Sequence, residues 1–250
     1  MRVFLVGLAV STLLLLPFIA ELAGSDMQGL WILSIPFVGL DYIGVFFHEL
    51  GHFFTRWFFG FPAFPSFDFA FGGGMTYHAL ERSKIVLGLV YLVFAYTCWL
   101  QWKGGETRML IIVGVCAALH IVASLTRWSE IIPVYMGHGG EIIVSAFCIL
   151  RATMDWPRDA HGTAEKYLNM TFGIFTLMKN MIRNIELMTS AAKRDAYANA
   201  KGGHVQMDLD TISDLLHTKV QYVAAGSSVF LLLCCILVGW LAVRRPWEEA

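Results

Sequence analysis

Apolar residues along this chain are gathered into long blocks. Val3–Ala20, Gln28–Phe47, Ile85–Leu100, Met109–Leu125 and Tyr222–Val243 are nearly continuous, whereas Ile131–Leu150 is interrupted by Pro133, Gly137, Gly139 and Gly140. A helix needs about 20 apolar residues to cross a ~30 Å hydrocarbon core. The blocks therefore predict an all-α integral membrane protein with about six transmembrane helices, or five if Ile131–Leu150 re-enters instead of crossing. The first block, with Arg2 before it and small residues from Ala20 to Gly24, also fits a signal peptide. Its apolar part is long for one, which favours an uncleaved span.

Residues 152–220 read differently. Ile174, Met178, Met181, Ile185 and Met188 recur at helical spacing, with Lys179, Asn180, Arg183 and Asn184 opposite them. The spacing predicts an amphipathic helix, lying in the membrane interface or packed on the other helices. The run from Ala198 to His204 reads as a flexible link, and Asp210 as the cap of a helix leading into the last block. The expected organisation is an N-terminal span and outer loop (1–27), a membrane core (28–150), an extramembrane or interfacial helical region (151–220), and a C-terminal span and tail (221–250).

Composition agrees with the pattern: 57% of residues are hydrophobic and 15% charged, and the mean hydropathy is +0.61. Soluble domains carry about 25% charged residues. The net charge of −1 gives no basic face for nucleic acid. Cys98, Cys116, Cys148, Cys234 and Cys235 all lie in apolar stretches, so buried free thiols are expected and not a disulfide framework. With the N-terminus inside and six spans, the short cytoplasmic segments hold Arg2, Arg56, Arg82, Lys84, Arg127, Arg244 and Arg245. The short outer ones hold Lys103 and Arg108, a bias in the direction of the positive-inside rule. Trp31, Trp57, Trp102, Trp128 and Trp240 fall near the expected span ends, as in an aromatic belt. A multi-pass protein of a bacterial inner (cell) membrane is the expected localisation.

The chemistry is concentrated in His48-Glu49-Leu50-Gly51-His52. Residues four apart share a helix face, so His48 and His52 can offer ring nitrogens to one zinc ion. Glu49 lies beside them, placed to take a proton from a water activated by the ion. Ionisable groups at the end of an apolar run are costly to bury in a membrane and usually mark function. Zinc in hydrolytic sites takes three protein ligands and leaves a fourth position open. His138 and Glu141 are the candidates for the third. His120, within an apolar block, reads as an interhelical hydrogen bond, and His78 as a loop residue.

Together with the run Glu130-Ile-Ile-Pro133-Val-Tyr-Met-Gly-His138-Gly139, the first motif resembles the site-2 proteases, which are intramembrane zinc metalloproteases. That family follows HExxH with N-x-x-P-x-x-x-x-D-G, whose aspartate is the third ligand. Here the proline and glycine keep the family spacing, and His138 stands in the place of the aspartate. Phe61 to His78, with Gly72-Gly73-Gly74, looks like the family's β-like loop beside the active site. The resemblance covers roughly residues 28–150. It implies Zn2+ held by His48, His52 and His138, with Glu141 as the alternative third ligand. It further implies Glu49 as general base and a transmembrane protein substrate received by strand addition at Phe64–Met75. Glu130 departs from the family's asparagine and must be protonated, paired or exposed. Water would enter through a break at Gly137–Gly140. Two other readings stay open: a zinc-binding membrane protein without proteolytic activity that acts as a partner or chaperone, and a transporter or channel with a histidine-lined path. Homo-oligomerisation or a regulatory partner is compatible with either.

Overall fold

The computed structural model describes residues 2–24, 30–68, 73–154, 163–200 and 206–243. The helices, in chain order, are α1 (Arg2–Leu14), α2 (Leu16–Leu22), α3 (Trp31–Phe58), α4 (Lys84–Lys103), α5 (Thr107–Ser124), α6 (Trp128–Met154), α7 (Thr163–Thr189), α8 (Ala191–Ala198), α9 (Asp208–Leu215) and α10 (Val220–Val243). Between α3 and α4 runs a single hairpin, β1 (Ala63–Asp68) and β2 (Gly73–His78). It is antiparallel, pairing Ala63 with His78 and Asp68 with Gly73. The expected β-like segment is thus a regular two-stranded sheet.

Among the described residues, five helices are long and apolar enough to cross a membrane: α3, α4, α5, α6 and α10. The first apolar block is not one span. The turn at Leu15 divides it into α1 and α2, with Pro17 in the first turn of α2, where its missing N–H costs nothing. The 13 residues of α1 are too few to cross unaided. A second correction concerns α6, which runs unbroken for 27 residues through Pro133 and all three glycines. There is no break at Gly137–Gly140 to admit water, and His138 and Glu141 share one helix face. The helix α3 continues ten residues past His48, or ~15 Å at 1.5 Å per residue. The motif therefore lies inside a helix and not at its end.

The exposure pattern is the reverse of a water-soluble fold. No residue of α4 is buried, and the two buried residues of α5 are polar, His120 and Ser124. Trp31 and Trp128 open α3 and α6, while Trp57, Trp102 and Trp240 lie near the ends of α3, α4 and α10. Glu130 is exposed in the first turn of α6, where a carboxylate complements the helix dipole. The cysteines form no disulfide, but none is buried, and Cys116 and Cys235 are exposed.

The chain forms two compact units, one made of Met1–His48 with His138–Ala250, the other of Glu49–Gly137. It passes between them within α3 and within α6. In the first unit, α7 is the central element, packed by α1 and α10. Phe175 joins Leu14 and Leu15, Leu177 joins Ile142 and Leu231, and Ile174 joins Ala152 and Met170. Gly173 permits a close approach to α6, since a Cβ there would stand 2.7 Å from the Ser145 carbonyl oxygen.

α7 is buried on both faces over much of its length: Ile174 and the polar residues Lys179, Asn180 and Asn184 are all buried, and of the expected apolar face Ile185 is exposed. Lys179 pairs with Asp41 of α3, and Asn184 donates to Ser227 of α10 at 3.2 Å. Asp210 caps nothing: Met207 is the N-cap of α9, and Asp210 lies in its first turn. Of the expected link, Asn199 and Ala200 form a turn after α8, and 201–205 lie outside the described residues.

Candidate metal centre

His48 is reached from two sides within the first unit. Its Nδ1 lies 2.9 Å from Glu141 Oε1, and its Nε2 lies 2.8 Å from Asp208 Oδ2. Glu141 is buried at 3% exposure, and its other oxygen accepts from Asn180 Nδ2 at 2.6 Å. The carboxylate of Glu141 is thus fixed by α7 and in turn fixes the ring of His48. His138, one helical turn before Glu141 on α6, is 4% exposed, with its ring centroid 4.9 Å from that of His48. The Nε2 atom of His138 has no hydrogen-bond partner among the described residues.

That orphaned nitrogen is the test of whether a cation fits. A buried polar atom without a partner costs about 1–3 kcal/mol, and a lone pair next to a second histidine and a carboxylate is what a metal ion satisfies. Donor atoms of His48, His138 and Glu141 all lie within 4.8 Å of one another. Zinc bonds of ~2.0–2.1 Å would hold tetrahedral donors about 3.3 Å apart, so only a modest closing is needed. These residues can hold a metal ion, and imidazole with carboxylate suits zinc among others.

The second unit positions the rest of the motif. His52 is buried, and its Nδ1 donates to the Pro133 carbonyl at 2.7 Å, which leaves Nε2 as the lone-pair nitrogen. A backbone carbonyl on one ring nitrogen is the usual way to orient a ligating histidine. Glu49 is 4% exposed, and its Oε2 accepts from Thr76 Oγ1 of β2 at 2.7 Å. The carboxylate lies so close to Gly74 that any Cβ there would overlap it. The hairpin therefore holds Glu49 through one hydroxyl and one missing side chain.

Elsewhere in that unit, His120 donates to the Phe58 carbonyl at 3.1 Å among the rings of Phe58, Phe59, Tyr91 and Phe94, in keeping with a structural histidine. His78 is exposed at the end of β2. Sequence reading missed Asp208, Asn180 and Thr76. A signal existed for Asn180: a lysine and two asparagines on a helix flanked by apolar spans need partners. Asp41, alone inside an apolar block, was the matching signal for Lys179.

Fold and site together define a class: a helical chain with the spans of a multi-pass membrane protein and a histidine–carboxylate group able to hold a metal ion. No protein-family model, curated protein or solved structure matches the chain. The likeness to site-2 proteases rests on the residues themselves.

Proposed function

We propose that this chain is a membrane-embedded zinc metalloprotease that hydrolyses peptide bonds of membrane-spanning or membrane-proximal proteins, in a bacterial cell membrane. The observation that carries the reading is the buried, unpartnered Nε2 of His138 beside His48, on a helix intact enough for Glu141 to orient the same ring. His48 and His138 would hold the ion through Nε2, and His52 remains the ligand that the spacing of the motif implies. Glu141 changes role, from alternative ligand to the carboxylate that keeps Nδ1–H of His48 occupied. A zinc ion in such a site supplies Lewis acidity and makes water acidic enough to attack at neutral pH.

The remaining work falls to the chain's own groups. Glu49, one residue from His48, takes the proton of the attacking water and returns it to the leaving amine. Thr76 and the close approach of Gly74 hold the carboxylate in one position. A helical substrate hides its carbonyls in its own hydrogen bonds and must unwind to be cut. The two-stranded sheet carries no third strand among the described residues, and an unwound segment can add to it. Placing Thr76 on β2 then couples substrate registry to the position of the base.

The test is Glu49→Gln, assayed in proteoliposomes against transmembrane peptides. Zinc content should stay at the wild-type level, while cleavage falls by at least about a hundredfold, the usual worth of a general base. Wild-type cleavage rates in this variant would remove the protease reading.

A further inference from the structure

Within the 49–137 unit, an apolar cavity and a group of cations have no part in hydrolysis. The cavity, about 310 Å³, lies between α4 and α5 and is lined by Phe58, Val90, Val93, Phe94, Val113 and Cys116. Thr97 also lines it, but its hydroxyl is spent on the Val93 carbonyl of its own helix, 2.8 Å away. Val93 is exposed, and α4 and α5 are both apolar enough to span a membrane. The medium around the cavity is then hydrocarbon, and a chain entering it gains only dispersion contacts. Selectivity has to come from a polar end.

That end is cationic. Along α5, Ser124 lies eight residues beyond Cys116, or ~12 Å at 1.5 Å per residue. Between them His120 packs on Phe58 and Phe94 of the cavity wall. Arg82 donates through Nη1 to the Ser124 carbonyl at 2.7 Å and has no carboxylate partner among the described residues. Its guanidinium stands 5.2 Å from the centre of the Phe61 ring, and that of Arg56 stands 6.0 Å from the same centre. Gly60, at φ 85°, makes room for this: a Cβ there would lie 2.9 Å from the Arg82 side chain. A separate observation marks the same spot. The hydroxyl of Ser124, a residue only 5% exposed, has no hydrogen-bond partner among the described residues. Two guanidiniums and an idle hydroxyl suit the oxygens of a phosphate.

We infer that this corner of the unit binds one anionic phospholipid, its phosphate on Arg82, Arg56 and Ser124 and one acyl chain laid along α5 into the cavity. The inference does not depend on the zinc reading. Charge complementarity selects the occupant, since basic pockets between spans hold anionic headgroups. A neutral lipid gains nothing from the two guanidiniums, and a free phosphate gains nothing from the cavity. The site also lies at the root of the hairpin, where the Ser83 N–H donates to the Gly60 carbonyl at 2.8 Å and closes the loop that carries β1 and β2.

The experiment titrates the full chain, in an uncharged detergent, with dioleoyl phosphatidylglycerol and reads bound lipid by native mass spectrometry. Binding should saturate at one lipid per chain. It should be at least about tenfold tighter than that of dioleoyl phosphatidylcholine, the worth of one hydrogen bond to a charged group. Arg82→Gln should abolish this preference. Val93→Phe fills the cavity from an exposed position and leaves the arginines alone, so it decides the matter should Arg82→Gln fail to fold. It should weaken phosphatidylglycerol by at least about threefold, the worth of a few lost van der Waals contacts. Inorganic phosphate at millimolar concentration should not displace the lipid. Equal affinity for the two lipids, an unchanged preference in Arg82→Gln, or wild-type affinity in Val93→Phe overturns the proposal. Displacement by inorganic phosphate overturns it too, since the site would then hold an anion and no chain.

Discussion

His138 and Glu141 were rivals in the sequence because the glycines around them left the local backbone open. On the continuous α6 they are three residues apart on one face, with distinct surroundings: Glu141 holds His48 Nδ1 and Asn180, whereas His138 Nε2 is buried with no hydrogen-bond partner among the described residues. His138→Ala should therefore lose zinc outright in chelator competition. Glu141→Gln should weaken it by about 10–100-fold, as for other groups that orient a ligand. Equal retention of zinc in both variants would leave the second motif without a metal role. The motif His48-Glu49-Leu50-Gly51-His52 and the Pro133–His138 spacing were legible because ligands on one helix obey a short period. Asp208 and Thr76 were not, because their proximity is made by tertiary packing, which leaves no local pattern.

At the scale of elements, α7 is the clearest divergence between pattern and structure. Its periodicity was legible, but periodicity gives only the angle between faces, not which face meets solvent. Because α1 and α10 both pack on α7, its polar face is buried along with Ile174 of the apolar one. Lys179 is buried and paired with Asp41, so Asp41→Asn leaves a nearly buried ammonium without its anion. A loss of roughly 3 kcal/mol, the low end for breaking a buried pair, should appear as a lower melting temperature in detergent. Lys179→Met on top of it should recover part of that loss, and no recovery would mean the pair is not coupled. In the hairpin, Gly74→Ala should push Glu49 off Thr76. Cleavage should fall steeply while zinc content is unchanged, and unchanged cleavage would detach the hairpin from the base. In α9, burial and then the neighbouring Asp214 charge raise the Asp210 carboxyl above its ordinary value. A raised acid binds its proton more tightly folded than unfolded, so its cost is absent below pH ~4, grows as pH rises from there towards the raised value, and is complete above it. Asp210→Asn should flatten that decline in a pH series of melting temperatures, and an unaltered pH profile would contradict the assignment.

For the whole molecule, the span count was readable from run length, and the difference from six to five lies in one turn at Leu15. Orientation with both termini in the cytoplasm and residues 155–219 outside requires the first block to cross. The measurement is cysteine labelling from either face, at residue 204 and at both termini, in a variant whose native cysteines are replaced. Termini labelled from opposite faces would mean that α1 and α2 do not cross and five spans remain.

The central claim is that a zinc ion sits among the histidines of α3 and α6. Metal analysis of the purified full chain tests it most directly, comparing wild type, Glu49→Gln and the double variant His48→Ala/His138→Ala. The account predicts one zinc per chain in the first two and none in the third. Wild type without stoichiometric metal, or a double variant that keeps it, would contradict the account.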